Sequence, residues 1–193
     1  ASEIGFCIVG SEMCIRDSGL AADLPFEALR DLDAGFHHLD AEGSTPFRDA
    51  GHRIPSLEEA FEAFPAARFN LEVKCTDEAA IATTLDLIGR FDRADRTLLA
   101  AGEDEVMMRL RKALSNHAVA PAVGASLGEI VASIGSALEK TPMPEGVDAL
   151  QIPAEFGGNP LATPELVAHA HGYEVEVHVW TINDLDEIAV LLL

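Results

Sequence analysis

Arg68-Phe-Asn-Leu-Glu-Val-Lys-Cys-Thr76 is the stretch on which the fold turns, because it sets a carboxylate and an ammonium two residues apart inside a short apolar β run. Side chains alternate faces along a strand. Phe69, Leu71 and Val73 therefore share one face, and Asn70, Glu72 and Lys74 share the other. A strand that packs its apolar face on helices can aim the polar face at a site.

The chain on either side of this strand alternates helical and extended patterns. Asp77 is placed to cap a helix running to about residue 91, in which Ala80, Ile81, Thr84, Leu85 and Ile88 recur at helical spacing. Residues 97–101 read as a strand, 104–114 as a helix, 117–123 as a strand and 126–138 as a helix. Residues 147–152 form a further strand, 163–171 a helix entered through Pro164, and 174–180 a strand, after which Asn183 is placed to cap a last helix. Upstream, 25–30 is a short helical turn, and 56–64 is a helix with Ser56 as N-cap and Glu59 at the capping-box position. Strands separated by helices of this length pair in parallel through crossovers. The fold class is therefore α/β, either a (β/α)8 barrel or an open doubly wound sheet, and periodicity does not separate the two.

Composition narrows the partners more than the fold. With 48% hydrophobic residues in 193, the chain can bury a substantial core as one globular unit. Its 13 basic against 33 acidic residues, net charge −20, exclude the basic stripe that a nucleic-acid surface needs and predict repulsion from anionic membranes. Cys7, Cys14 and Cys75 have no metal-ligand spacing and leave an odd thiol, which points to a reducing compartment and a cytoplasmic location. No stretch approaches the roughly 20 apolar residues of a membrane-spanning helix.

Four segments follow one another at close intervals: Leu32-Asp-Ala-Gly35, Pro46-Phe-Arg48, Ile54-Pro-Ser-Leu-Glu-Glu59 and Phe69-Asn-Leu-Glu-Val-Lys74. In that order they resemble the glycerophosphodiester phosphodiesterases. Asp148-Ala-Leu-Gln-Ile-Pro153 and Val177-His-Val-Trp-Thr-Ile-Asn-Asp184 are similar to the sixth and seventh strands of that family. The resemblance spans roughly residues 20 to 193. It implies a TIM barrel of the phospholipase-C-like phosphodiesterase type, of which strands 3 to 7 are present, whereas a closed barrel needs eight strands and about 250 residues. Residues 19–193 then form a partial phosphodiesterase domain. Residues 1–18, with Gly10-Ser-Glu-Met-Cys-Ile-Arg-Asp-Ser18, resemble translated sequencing-adapter read-through and are expected to be non-native. Both ends are expected to be truncations.

The resemblance implies metal-dependent hydrolysis of small-molecule glycerophosphodiesters to an alcohol and glycerol phosphate, a reaction of lipid metabolism. The attacking hydroxyl must lose a proton, the leaving alkoxide must gain one, and phosphoryl charge must be neutralised. The family's His-Arg-Gly and His-Asp motifs and its Glu-x-Asp pair are absent from this chain, so it is expected to be inactive alone. By the match, Glu72 stands at a carboxylate metal-ligand position for a divalent ion, Mg²⁺ or Ca²⁺, and Lys74 at a catalytic position facing the phosphate. Trp180, the only tryptophan, stands at a substrate-binding position against the glycerol moiety. Spacing alone favours a structural ion pair for Glu72 and Lys74, and leaves Trp180 equally readable as an aromatic filling a barrel interior. The alternative function is a non-catalytic barrel that binds phospholipid head groups or a protein partner. The oligomeric state is not readable.

Other residues invite a role. His37, His38 and His52 could ligate a transition metal, but none falls on a catalytic histidine position of the family pattern. Arg48 and Arg53 share their loop and are expected to be solvated, Gln151 can face a barrel interior, and His178 is expected to be a hydrogen-bonded core residue.

Overall fold

The computed structural model describes residues 24–191, so the adapter-like stretch 1–18 lies outside the described residues. The chain divides into two compact units between Ala67 and Arg68.

In the first unit, α1 (Phe26–Arg30) and α2 (Leu57–Ala63) flank a long loop. Pro25 is the N-cap of α1, and Ser56 closes the expected capping box with Glu59, each side chain accepting from the other residue's backbone N–H. Phe26, Leu29, Ile54, Leu57, Ala60 and Phe61 are buried. The loop is organised by Asp33, whose carboxylate accepts from the backbone N–H of Gly35 (2.9 Å) and of Asp49 (2.7 Å). Gly35 is required by close approach: a Cβ there would run into the backbone carbonyl of Phe47.

The second unit carries the alternation. Its elements are β1 (Phe69–Glu72), α3 (Glu78–Arg90), β2 (Thr97–Ala100), α4 (Asp104–Leu114), β3 (Ala122–Val123), α5 (Leu127–Glu139) and β4 (Ala149–Pro153). A short hairpin of β5 (Glu155–Phe156) and β6 (Asn159–Pro160) follows, then α6 (Pro164–Gly172), β7 (Glu176–Trp180) and α7 (Leu185–Leu191). Strands β1, β2 and β3 pair in parallel, with Asn70 opposite Leu98, Glu72 opposite Ala100, and Leu98 opposite Ala122. Strands β4 and β7 pair in parallel, with Gln151 opposite His178 and Pro153 opposite Trp180. A parallel bridge between Gly124 and Ala149, with Ala125 N–H donating to the Ala149 carbonyl at 3.0 Å, joins the two groups.

The resulting order, β1-β2-β3-β4-β7, follows the chain without reversal. A doubly wound sheet reverses direction from a central strand, so this order selects the barrel. Five parallel strands are present among the described residues, which do not close into a cylinder.

Helices cover one face of this sheet. Leu71, Val73, Leu99, Val123, Leu150 and Ile152 are buried on that side, together with Ile81, Leu85 and Ile88 of α3, Leu110 of α4, and Leu166 and Ala170 of α6. Fully burying one such aliphatic side chain is worth about 1.5–3 kcal/mol, so this layer is the main source of stability.

Three expectations need correction. The strand expected over 117–123 shrinks to Ala122–Val123, because His117 still closes the end of α4 through its N–H to Leu114 and Pro121 can donate no ladder hydrogen bond. The last helix is capped by Asp184 rather than Asn183: its Oδ1 accepts from the N–H of Asp186 (2.9 Å) and of Glu187 (3.1 Å). The β5–β6 hairpin was not foreseen. Its two central residues, Gly157 and Gly158, have φ of +60° and +79°, which a two-residue turn between twisted strands demands.

Candidate functional site on the open face of the sheet

The face that helices do not cover carries Asn70 and Glu72 of β1, and Lys74 beyond it. The observed burial follows the alternation: Leu71 and Val73 are buried, whereas Asn70, Glu72 and Lys74 are exposed. Val73 N–H donates to the Ala100 carbonyl at 2.7 Å, which keeps the backbone extended past Glu72 and so returns Lys74 to the same face. Lys74 Nζ lies 3.1 Å from Glu72 Oε2. Their side chains keep 40% and 48% exposure. At that exposure an ion pair contributes roughly 0–1 kcal/mol, so fold stability is a weak reason for it.

The loops at the C-terminal ends of β2 and β3 are tied together at the same end of the sheet. Asp104 Oδ1 accepts from Gly128 N–H at 2.9 Å, and Leu127 N–H donates to the Gly102 carbonyl at 2.9 Å. The Ser126 hydroxyl, and then the Gly128 N–H, hold the Asp104 carboxyl below the usual carboxylate range. A Cβ on Gly128 would sit 2.7 Å from Asp104 Oδ2, so glycine is what permits this latch. A Cβ on Gly102 would lie 3.7 Å from Glu72 Oε1, which places the carboxylate beside this fixed loop.

On the far side of the sheet, β7 shows the complementary alternation, with Val177 and Val179 half-buried and Glu176, His178 and Trp180 exposed. Trp180 stands at the C-terminal end of β7, 53% exposed. His178 is not a core residue as expected: its side chain is 43% exposed and its Nε2 lies 2.9 Å from Glu176 Oε2. Alternation along β7 puts it on the open face with Glu176 and Trp180, both also exposed. Gln151 does turn to this face, its Oε1 3.0 Å from where a Gly124 Cβ would stand.

The loop candidates of the first unit are engaged locally. His37 meets Phe36 at a ring separation of 4.9 Å, while His38 and His52 meet Phe47 at 4.8 and 5.3 Å. Arg48 donates to the Phe36 carbonyl (3.0 Å) and lies over its ring, and Arg53 donates to the Arg30 carbonyl and to Asp31. A cleft of about 550 Å³ bordered by Arg30, Arg53, Glu59 and Phe64 includes none of Glu72, Lys74 or Trp180.

Among the described residues no group of three or more His, Cys, Asp or Glu side chains converges. A hard divalent ion takes six or more oxygen ligands, of which a single carboxylate such as that of Glu72 amounts to one side chain.

A sequential parallel sheet alternating with helices is the arrangement of a (β/α) barrel, in whose enzymes the active sites lie at the C-terminal ends of the strands. The matching family model, described as the glycerophosphoryl diester phosphodiesterase family, covers residues 12–193, and the chain belongs to that family. A probable glycerophosphodiester phosphodiesterase 2 of Mycobacterium tuberculosis (strain ATCC 25618 / H37Rv) is 31% identical over 201 residues, spanning 100% of this chain and 74% of that protein. Two solved structures share the fold. The glycerophosphoryl diester phosphodiesterase domain of a Mycobacterium tuberculosis protein superposes with a TM-score of 0.69 at 14% identity, over 90% of this chain and 70% of that one. A glycerophosphodiester phosphodiesterase of Agrobacterium tumefaciens superposes with a TM-score of 0.64 at 16% identity, over 91% and 68%. The fold is that of an incomplete (β/α)8 barrel.

Proposed function

We propose that the open face of this sheet is the substrate face of a glycerophosphodiester phosphodiesterase, which hydrolyses the diester to an alcohol and glycerol phosphate. The observation that carries the reading is the Glu72–Lys74 pair, exposed at the C-terminal end of β1, in a chain that matches the family along most of its length.

Each residue has a chemical task in this proposal. Lys74 turns its ammonium to a phosphoryl oxygen and offsets the charge that grows there in the transition state. Its partner Glu72 holds it extended meanwhile, and an exposed pair of this kind costs at most about 1 kcal/mol to separate. Glu72 is one oxygen ligand for a divalent cation, Mg²⁺ or Ca²⁺, which when bound supplies further neutralisation of phosphoryl charge. Trp180 is a wall for the glycerol moiety.

The 193 residues contain no His-Arg-Gly, His-Asp or Glu-x-Asp motif. General acid–base catalysis contributes about 10² to 10⁴ in rate, and without these carriers the chain alone binds the diester and does not turn it over. Glycerophosphocholine tests both halves. The chain should broaden its phosphorus resonance, Lys74→Met should abolish the broadening, and glycerol phosphate release should stay at the buffer control. Metal-dependent release above that control would overturn the inactivity. Absence of broadening would overturn the site.

A further inference from the structure

Helix α5 turns small polar residues inward and large aliphatic ones out. Ser133 and Ser136 are buried, their hydroxyls donating to the carbonyls of Glu129 (2.7 Å) and Thr141 (2.6 Å). Leu127, Val131 and Leu138 are 66%, 61% and 80% exposed. At 3.6 residues per turn these three and the half-buried Ile134 fall within about 60° of one another, on the side away from the serines. Both flanks of the helix are packed: Glu129 pairs with Arg111 of α4 at 2.9 Å, and Ser136 Oγ lies 2.8 Å from His169 Nε2 of α6. Only the outward stripe is bare. Charge sets this helix apart as well. Helices α3, α4, α6 and α7 expose Glu78, Glu105, Glu165 and Glu187, whereas every residue that α5 exposes from Leu127 to Leu138 is uncharged. In a chain of net charge −20, this is the helix on which two copies meet with least repulsion. Contiguous exposed apolar surface of this kind marks an interaction site.

We infer that the outward stripe of α5 is the contact face of a two-fold dimer of this chain. Leu127, Val131, Ile134 and Leu138 are spaced by four, three and four residues, a pattern that reads the same from either end. Two copies laid antiparallel across a two-fold axis therefore set Leu127 against Leu138 of the second copy, and Val131 against Ile134. Such a contact pairs each residue with its counterpart in both directions, so all four pairings form at once. The same register puts Glu139 opposite Ser126 and not opposite another carboxylate. Apolar residues three and four apart are the seam along which helices pack at about 20°. Gly135 keeps the approach open beside that seam, since a Cβ there would meet nothing within 4 Å. On the α6 side the stripe borders an apolar recess of about 120 Å³ between Ile134, Leu138, Leu161 and Leu166. A basic partner is the poorer occupant, because this face offers it no carboxylate. One helix face falls short of the roughly 800 Å² per partner of a standard interface, so the dimer is weak and depends on concentration.

Sedimentation of the full 193-residue chain over a concentration series tests this. The parent should pass from monomer to dimer with a Kd on the order of 10–100 µM, as suits a contact at the small end of the range. Leu138→Glu and Leu127→Lys should each raise that Kd at least about tenfold, because each sets a charge against a leucine. Both positions are exposed, so helix content and urea midpoint should stay near the parent's. Mixed in equal amounts, the two variants should recover the dimer, since position 138 of one then meets position 127 of the other. Ala82→Glu, on the exposed side of α3, should leave association unchanged. A parent that stays monomeric throughout would overturn the proposal, and so would a dimer that survives both α5 substitutions, whose contact must then lie elsewhere, such as along a sheet edge. Failure of the mixture to recover the dimer would overturn the antiparallel register.

Discussion

Strand β1 and strand β7 bound the same sheet and obey the same alternation, yet they end differently. On β1 the outward residues finish in a carboxylate and an ammonium 3.1 Å apart, whereas on β7 they finish in an indole. Their helix-facing residues are alike, Leu71 on β1 with Val73 just past it, and Val177 and Val179 on β7, buried or half-buried. The helix-facing layer explains why the strands exist, and the open layer is where they diverge. Stability and function are therefore separable by face.

The most severe way to challenge that separation is a cavity on the helix side. Leu150 is fully buried between β4 and the α5–α6 layer, and Leu150→Ala should cost about 2–5 kcal/mol, read as a lower urea midpoint. A smaller loss is expected from Gly128→Ala, which pushes a methyl against Asp104 and should cost about 1–3 kcal/mol. Restoring room with a second change, Asp104→Ser, should recover part of it. If Gly128→Ala is neutral, the latch between the β2 and β3 loops is not rigid.

Acid sharpens the same point. Asp33 is held below the usual carboxylate range by the Asp49 and then the Gly35 N–H, Glu59 by the Ser56 N–H, and Asp104 by the Ser126 hydroxyl. Each group binds its proton less readily folded than unfolded, so its contribution is present above the ordinary carboxylate pKa of about 4 and is lost as pH falls below it. The urea midpoint should fall between pH 5 and pH 3, an interval set by that pKa, and Asp104→Asn should flatten part of the fall. Smallest of all is Glu72→Gln, which should move stability by less than about 1 kcal/mol at neutral pH.

Much of this was legible in the chain. Alternation of apolar and polar residues through Phe69-Asn-Leu-Glu-Val-Lys74 was enough to place Glu72 and Lys74 on one face, and the Ser56 and Asp77 caps start their helices where side-chain chemistry says they should. The choice between barrel and doubly wound sheet was not legible from periodicity, because strand order depends on pairings such as Gly124 with Ala149 that no local pattern encodes. The β5–β6 hairpin could have been read from Phe156-Gly-Gly-Asn159, where paired glycines supply the positive φ a tight turn needs. His178 was misplaced for a different reason: alternation says which face a residue takes, and only the rest of the sheet says whether that face is covered.

The claim that the β1 pair serves phosphate rather than the fold is tested most directly by reading ligand binding and stability on the same samples. Glycerophosphocholine binding by phosphorus NMR, with and without Mg²⁺, would be measured beside urea midpoints for the parent chain, Glu72→Gln and Lys74→Met. The expected result is that Lys74→Met weakens binding under both conditions, Glu72→Gln removes only what Mg²⁺ adds, and neither shifts stability by more than about 1 kcal/mol. Unchanged ligand binding in both variants, together with a matching loss of stability, would make the pair a structural ion pair and contradict the functional reading.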